Sequence, residues 1–83
     1  MSVYDEIKQE RTRQDEQWGV AFDDKNTVND WTAYIISYAG RAAFTVDDAS
    51  WREQAVKTAA LVIAAIETLD RNGKFPPRHY DES

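Results

Sequence analysis

The sequence predicts an all-α domain, and three observations carry that prediction. Three times a Ser or Thr is followed three residues later by an acid: Ser2 and Asp5, Thr27 and Asp30, Ser50 and Glu53. That is the signature of a helix N-terminus, where hydroxyl and carboxylate satisfy backbone N–H groups that the first turn leaves open. After each start, apolar residues recur at helical spacing. The last of the three segments is apolar nearly all the way round between residues 59 and 66, as a core helix is.

Helix 1 is expected over residues 3–18, with Tyr4, Ile7, Arg11, Gln14 and Trp18 along one stripe and Gly19 as the stop. Arg11 and Asp15 lie four apart and can pair. Residues 20–26 read as a loop, because Asp23, Asp24 and Asn26 favour turns through local side-chain bonds to the backbone. Helix 2 is expected over 28–44, with Trp31, Tyr34/Ile35, Tyr38 and Ala42 on one stripe and Ala39 and Ala43 widening it. Gly40 interrupts it; it either marks the close approach of another backbone or is simply tolerated. Helix 3 is expected over 51–72, capped by Ser50 and stopped by Asn72-Gly73. Residues 1–73 then form a single all-α domain. Residues 74–83, with Pro76-Pro77, form an extended or partly disordered tail.

The chain has 83 residues, no cysteine and one histidine. A domain of this size is marginal alone, and neither disulfides nor a Cys/His zinc site can support it. The formal charge of −5 lacks the basic footprint that nucleic acid requires. The longest apolar run, residues 59–66, is far short of the ~20 residues that span a bilayer, and the N-terminus carries no signal-like pattern. These features lead to the expectation of a cytoplasmic protein that binds neither membrane nor nucleic acid.

Helix 3 leads to assembly. Ala55, Ala59, Val62, Ile66 and Leu69 line one face, while Val56, Ala60, Ile63 and the pair Ala64/Ala65 fill most of the others. Two further helices of one chain cover only part of such a surface. A homo-oligomer, dimer or tetramer, is therefore expected, with Ala55, Ala59, Val62, Ile63 and Ile66 at its interface.

Catalytic constellations are scarce. His79 sits in the tail, Ser37 lies inside helix 2 with no His nearby in sequence, and no Gly-rich phosphate loop occurs. The acids cluster as Asp15/Glu16, Asp23/Asp24 and Asp47/Asp48, and the last two pairs read as loop solvation. No run places carboxylates at i, i+3 or i+4 on an inward helix face, so neither a metal site nor a cofactor is expected. Polar residues on core-like stripes are more informative. Arg11, Gln14, Arg41 and Lys57 either pair with acids and snorkel, or meet in a groove. In the second case the groove is a cationic pocket for a phosphate or nucleotide, with Trp18, Trp31 or Tyr38 as stacking surface.

The run Glu10-Arg11-Thr12-Arg13-Gln14-Asp15-Glu16-Gln17-Trp18-Gly19, then Trp31, then Trp51-Arg52-Glu53-Gln54 leading to the helix end Ala64-Ala65-Ile66-Glu67-Thr68-Leu69-Asp70-Arg71, resembles small phage and mobile-element proteins of the MazG-like group. These lie within the all-α NTP pyrophosphohydrolase superfamily, and the resemblance covers about residues 5–71. It implies helices bundled into dimers or tetramers. Active members hydrolyse nucleoside triphosphates to monophosphate and pyrophosphate with Mg²⁺ held by E-E-x-x-E on one helix and E-x-x-D on the next. Here the first motif's acidic positions fall on Ser37, Tyr38 and Arg41, and the second's on Gln54 and Lys57. No shift of the alignment restores the first motif, because residues 28–44 contain no Glu. The expectation is a non-catalytic MazG-like oligomer that binds a small anionic, nucleotide-like ligand or a protein partner. The alternatives are a divalent-metal pyrophosphohydrolase with a site relocated to Asp23, Asp24, Asp47 or Asp48, and a purely protein-binding accessory module.

Overall fold

The computed structural model describes residues 1–78 and contains three helices, α1 (Val3–Asp24), α2 (Val28–Ala42) and α3 (Asp48–Asn72). The expected position of His79 and the end of the tail lie outside the described residues. Among the described residues there is no strand, and no helix is long and apolar enough to cross a membrane. α1 and α2 each pack against α3 and reach one another through aromatic side chains.

Two of the three expected caps form as read. Ser2 Oγ accepts from Asp5 N (3.2 Å) while the Asp5 carboxylate accepts from Ser2 N (3.3 Å). Thr27 and Asp30 repeat the reciprocal pair at 3.2 and 2.9 Å. The third cap is a correction. Asp47 rather than Ser50 caps α3, its carboxylate accepting from Ser50 N at 2.7 Å. Asp is as good a cap as Ser, and the earlier start lengthens the helix and places Asp48 in its positive first turn. That bond to Ser50 N holds the Asp47 carboxyl below the usual range.

Helix 1 also departs from expectation. Gly19 does leave the helical region, at φ 80° and ψ 168°, but the chain re-enters helix and runs on to Asp24. Residues 20–24 are therefore a redirected turn of helix rather than a loop. Tertiary contacts override the local turn preferences. Phe22 stacks against Trp18, Asp23 is buried beside Arg11, and Asp24 accepts from Arg71 (2.5 Å) and Asn72 (2.9 Å). α2 stops at Ala42, short of the expected 44. There Phe44 N and Thr45 N donate to Arg41 O and Ala42 O in tighter turns. The end of α3 is as expected, with Gly73 left-handed at φ 77° and its N–H on Leu69 O at 2.7 Å.

The core is small. Its buried apolar residues are Trp31, Leu61, Ala60, Ala64 and Ala65, with Ile35, Tyr38 and Phe75 packed around them. Phe75 ties the first residues after α3 onto the body, so the tail begins as part of the fold. The alanines of α3 let α1 and α2 approach it closely on two sides. Its third side is open: Ile63 and Ile66 are 39% and 52% exposed, and Ala55, Ala59 and Val62 are half-buried.

Candidate functional site: an aromatic cleft beside Arg41

The break at Gly19 shapes the most distinctive surface of the molecule. It turns residues 20–24 so that Phe22 follows Trp18 as a stacked ring, centroids 6.2 Å apart and planes 27° apart. Tyr34 of α2 continues the row at 6.4 Å and 26° from Phe22. With Tyr38 these rings enclose a cleft of about 250 Å³ that contains no charged side chain. A positive φ of 80° favours glycine at this hinge, because a Cβ crowds the backbone there.

A cation stands at the edge of the cleft. The Arg41 guanidinium carbon lies 4.5 Å from the centroid of the Tyr38 ring. Arg41 is exposed, and among the described residues it has no carboxylate partner. Arg13 sits close enough to Tyr38 to sense its phenol. Its pKa is raised first by its bonds to Glu10, at 2.8 and 2.6 Å, and in smaller part by Tyr38. Arg13 is therefore a paired cation and Arg41 an unpaired one.

The other residues singled out from the sequence are distributed as follows. Trp18, Tyr38 and Arg41 come together here. Trp31 does not: it is 3% exposed and packs in the core with Leu61, Ala64 and Ala65. Arg11 points the other way, toward Glu67 (2.8 Å), Asp15 (3.6 Å) and Asp23 (3.8 Å). Gln14 is buried at 2% exposure and donates to Glu10 (3.1 Å) and the Lys57 carbonyl (3.2 Å). The Lys57 ammonium pairs with Glu53 at 3.5 Å. So Arg11, Gln14 and Lys57 hold α1 to α3 or pair locally, and they do not line the cleft. Sequence reasoning missed Phe22 because it fell in an expected loop, although its spacing of four from Trp18 matched that of Tyr34 and Tyr38.

A second, polar groove of about 470 Å³ lies between α1 and the start of α3. Its charges are mutually satisfied: Arg13 by Glu10, Lys57 by Glu53, and Arg52 by Glu6. The bond to Arg52 holds the Glu6 carboxyl below its ordinary range. Groups already paired give up those partners to bind anything else, which weakens this groove as a ligand site.

Among the described residues no three His, Cys, Asp or Glu side chains are placed to hold a metal ion. Asp47 is spent on capping α3 and Asp24 on Arg71 and Asn72. Asp15, Asp23 and Glu67 gather instead around the Arg11 guanidinium. Burial pushes the Asp23 carboxyl up, against the pull of Arg11. Comparison with protein-family models, with curated proteins and with solved structures finds no match to this chain.

Proposed function

We propose that this chain is a non-catalytic helical-bundle protein of MazG-like architecture, that it works as a homo-oligomer, and that it binds a small anionic, nucleotide-like ligand. The observation that carries the ligand is the aromatic cleft with an unpaired arginine stacked at its edge. A planar ring gains about 1–3 kcal/mol on stacking against such side chains. An arginine without a carboxylate partner is free to give its forked donors to a phosphate. The cleft, at about 250 Å³, is smaller than the ~300–1,000 Å³ of pockets that enclose whole ligands. It takes the ring and leaves the anionic end in solvent beside Arg41.

The non-catalytic reading rests on chemistry. Positions that the resemblance would fill with metal-holding acids carry Ser37, Tyr38, Arg41, Gln54 and Lys57. Three of these are neighbours in the fold: Arg41 stacks on Tyr38, and Gln54 Nε2 donates to the Tyr38 carbonyl at 3.0 Å. That proximity supports a shared scaffold on which cationic and neutral groups stand where pyrophosphohydrolases would hold Mg²⁺. A guanidinium repels that ion and attracts the phosphate.

Isothermal titration calorimetry with adenosine, AMP, ATP and inorganic pyrophosphate tests the reading. A stacked, singly clamped nucleotide binds with Kd of about 10 µM to 1 mM. Adenosine binds more weakly, and Arg41→Ala costs AMP about tenfold or more. No heat with any nucleotide at millimolar concentration would overturn it. Release of pyrophosphate from ATP with Mg²⁺ or Mn²⁺, abolished by substitutions at the cleft, would replace it with the hydrolase reading.

A further inference from the structure

Three consecutive residues tie the three helices together. Past the break at Gly19, Phe22 stacks on Tyr34 of α2, Asp23 faces Arg11 in the long part of α1, and Asp24 accepts from Arg71 and Asn72 at the end of α3. Among the described residues α1 and α2 both take α3 as their packing partner. The aromatic cleft lies in the gap this leaves between them, and Phe22 continues its wall from Trp18 to Tyr34. Its own burial holds Phe22 only weakly, because it stays 40% exposed. The arm of residues 20–24 joins the rest of α1 through one glycine at φ 80°, and a Cβ built there meets nothing within 4 Å, so no packed neighbour braces the hinge. The other side is fixed. Gly73 N–H closes on Leu69 O at 2.7 Å, and Phe75 packs on the core beyond it. Between these two anchors, Arg71 and Asn72 both donate to one oxygen, Asp24 Oδ1, at 2.5 and 2.9 Å.

We infer that Arg71, together with Asn72, is a positioning residue for the aromatic cleft: it latches the Gly19-hinged arm through Asp24 and so holds Phe22 where a ring of the ligand stacks. For its ligand this rests on the nucleotide reading above; the latch itself stands on the contacts of the free protein. Arg71 does not line the cleft, so it acts through the arm. Asp24 follows Phe22 by two residues, and a shift of the carboxylate carries to the ring within one turn of helix. Charge-assisted donors on one carboxylate oxygen fix its direction as well as its distance. The latch stands partly in water, with both side chains about 40% exposed. An exposed pair of this kind adds little to global stability, and its removal leaves the buried set around Trp31 and Leu61 untouched. Released, the arm swings about Gly19, the row of rings breaks and the cleft loses a wall. A ligand then binds only the fraction of molecules whose arm is in place, and its apparent affinity falls by that fraction.

Two measurements on the full 83-residue chain test this. The first needs no ligand. In ¹H–¹⁵N spectra of Arg71→Ala and Asp24→Ala, the indole of Trp18, which stacks on Phe22, is expected to shift in the same direction in both variants, while the indole of core Trp31 stays in place. Arg71→Lys keeps a cation for Asp24 and should undo most of the shift. The second is calorimetry with AMP. Arg71→Ala and Asp24→Ala should each weaken binding about three- to tenfold, and neither should add to the loss caused by Phe22→Leu. The shared sign separates a latch from long-range charge: by charge alone, removing a cation weakens the binding of an anion and removing an acid strengthens it. If Arg71→Ala loses its helical circular dichroism, Arg71→Gln is read in its place with the same expectations. An unmoved Trp18 indole, opposite signs for the two variants, or a full effect of Arg71→Ala in the Phe22→Leu background each overturns the inference. Absence of AMP binding by wild type overturns the nucleotide reading, and the ligand-free spectra then decide the latch on their own.

Discussion

Arg11→Met removes the guanidinium around which Asp15, Asp23 and Glu67 gather and leaves a side chain of similar length. The Glu67 contact is short, 2.8 Å, but that carboxylate is 55% exposed and its loss costs little. Asp23 is the expensive partner, because its side chain keeps only 9% of its exposure, and Arg11 keeps 17%. Stranding one member of a buried ion pair costs about 3–5 kcal/mol. The 3.8 Å separation is loose, which places the expected cost nearer 2–3 kcal/mol at neutral pH. A chain of this length has about 4–12 kcal/mol in total, so the melting temperature should fall by about 10–20 °C.

The same pair fixes the pH dependence of that loss. Burial already raises the Asp23 pKa above 3.8, with Arg11 opposing it. Without Arg11 it rises further. An acid whose folded pKa is raised penalises folding at pH above that pKa, and the penalty disappears as pH falls through it toward the unfolded value. The gap between wild type and Arg11→Met should therefore narrow between pH 7 and the ordinary aspartate range. In an Asp23→Asn background, Arg11→Met should cost distinctly less. Thermal and urea melts of the four proteins in this cycle, at pH 7 and at pH 5, provide the assay. An undiminished cost in the Asn background, or an equal gap at both pH values, would show that Arg11 does not act by neutralising Asp23.

Three further outcomes are expected. Asp47→Ala should cost about 1 kcal/mol by chemical denaturation and Ser50→Ala clearly less, because Asp47 makes the capping bond; the reverse order would restore Ser50 as the cap. Gly19→Ala should cost about 1–3 kcal/mol from backbone strain alone, because φ 80° with ψ 168° is a conformation only glycine adopts readily and a Cβ there has open space, and should weaken nucleotide binding by moving Phe22; calorimetry and melts read both. Wild-type stability should rise slightly as pH falls from neutral through the raised pKa of Asp23 and then fall in the carboxylate range. Glu10, held down first by its bond to Arg13, and Asp24, held down first by Arg71, lose their contributions as pH drops through their lowered pKa values, and a melting-temperature profile against pH checks this.

Much of the fold is legible in the sequence where local chemistry decides it. The Ser2–Asp5 and Thr27–Asp30 boxes and the Asn72-Gly73 stop each act within a turn of helix, and each forms as read. The misreadings arise where distant residues decide. Asp23 and Asp24 are turn-formers locally, yet Arg11 and Arg71 hold them in a helical arm. Asp47 and Ser50 are competing caps of equal local merit, and the longer helix wins. The site was half legible for the same reason. Polarity and aromaticity single out Trp18, Tyr38 and Arg41, but the direction of each side chain depends on how α1 and α2 sit on α3. That arrangement sends Trp31 inward, Arg11 toward acids, and Phe22 into the cleft from a segment expected to be loop.

The most direct test of the ligand site is a two-dimensional ¹H–¹⁵N spectrum of the protein titrated with AMP. The Trp18 indole and the amides around Phe22, Tyr34, Tyr38 and Arg41 are expected to move together along one binding curve, while the indole of core Trp31 stays fixed. Shifts confined to the polar groove of Glu6, Arg13 and Lys57, or none at millimolar nucleotide, would contradict it.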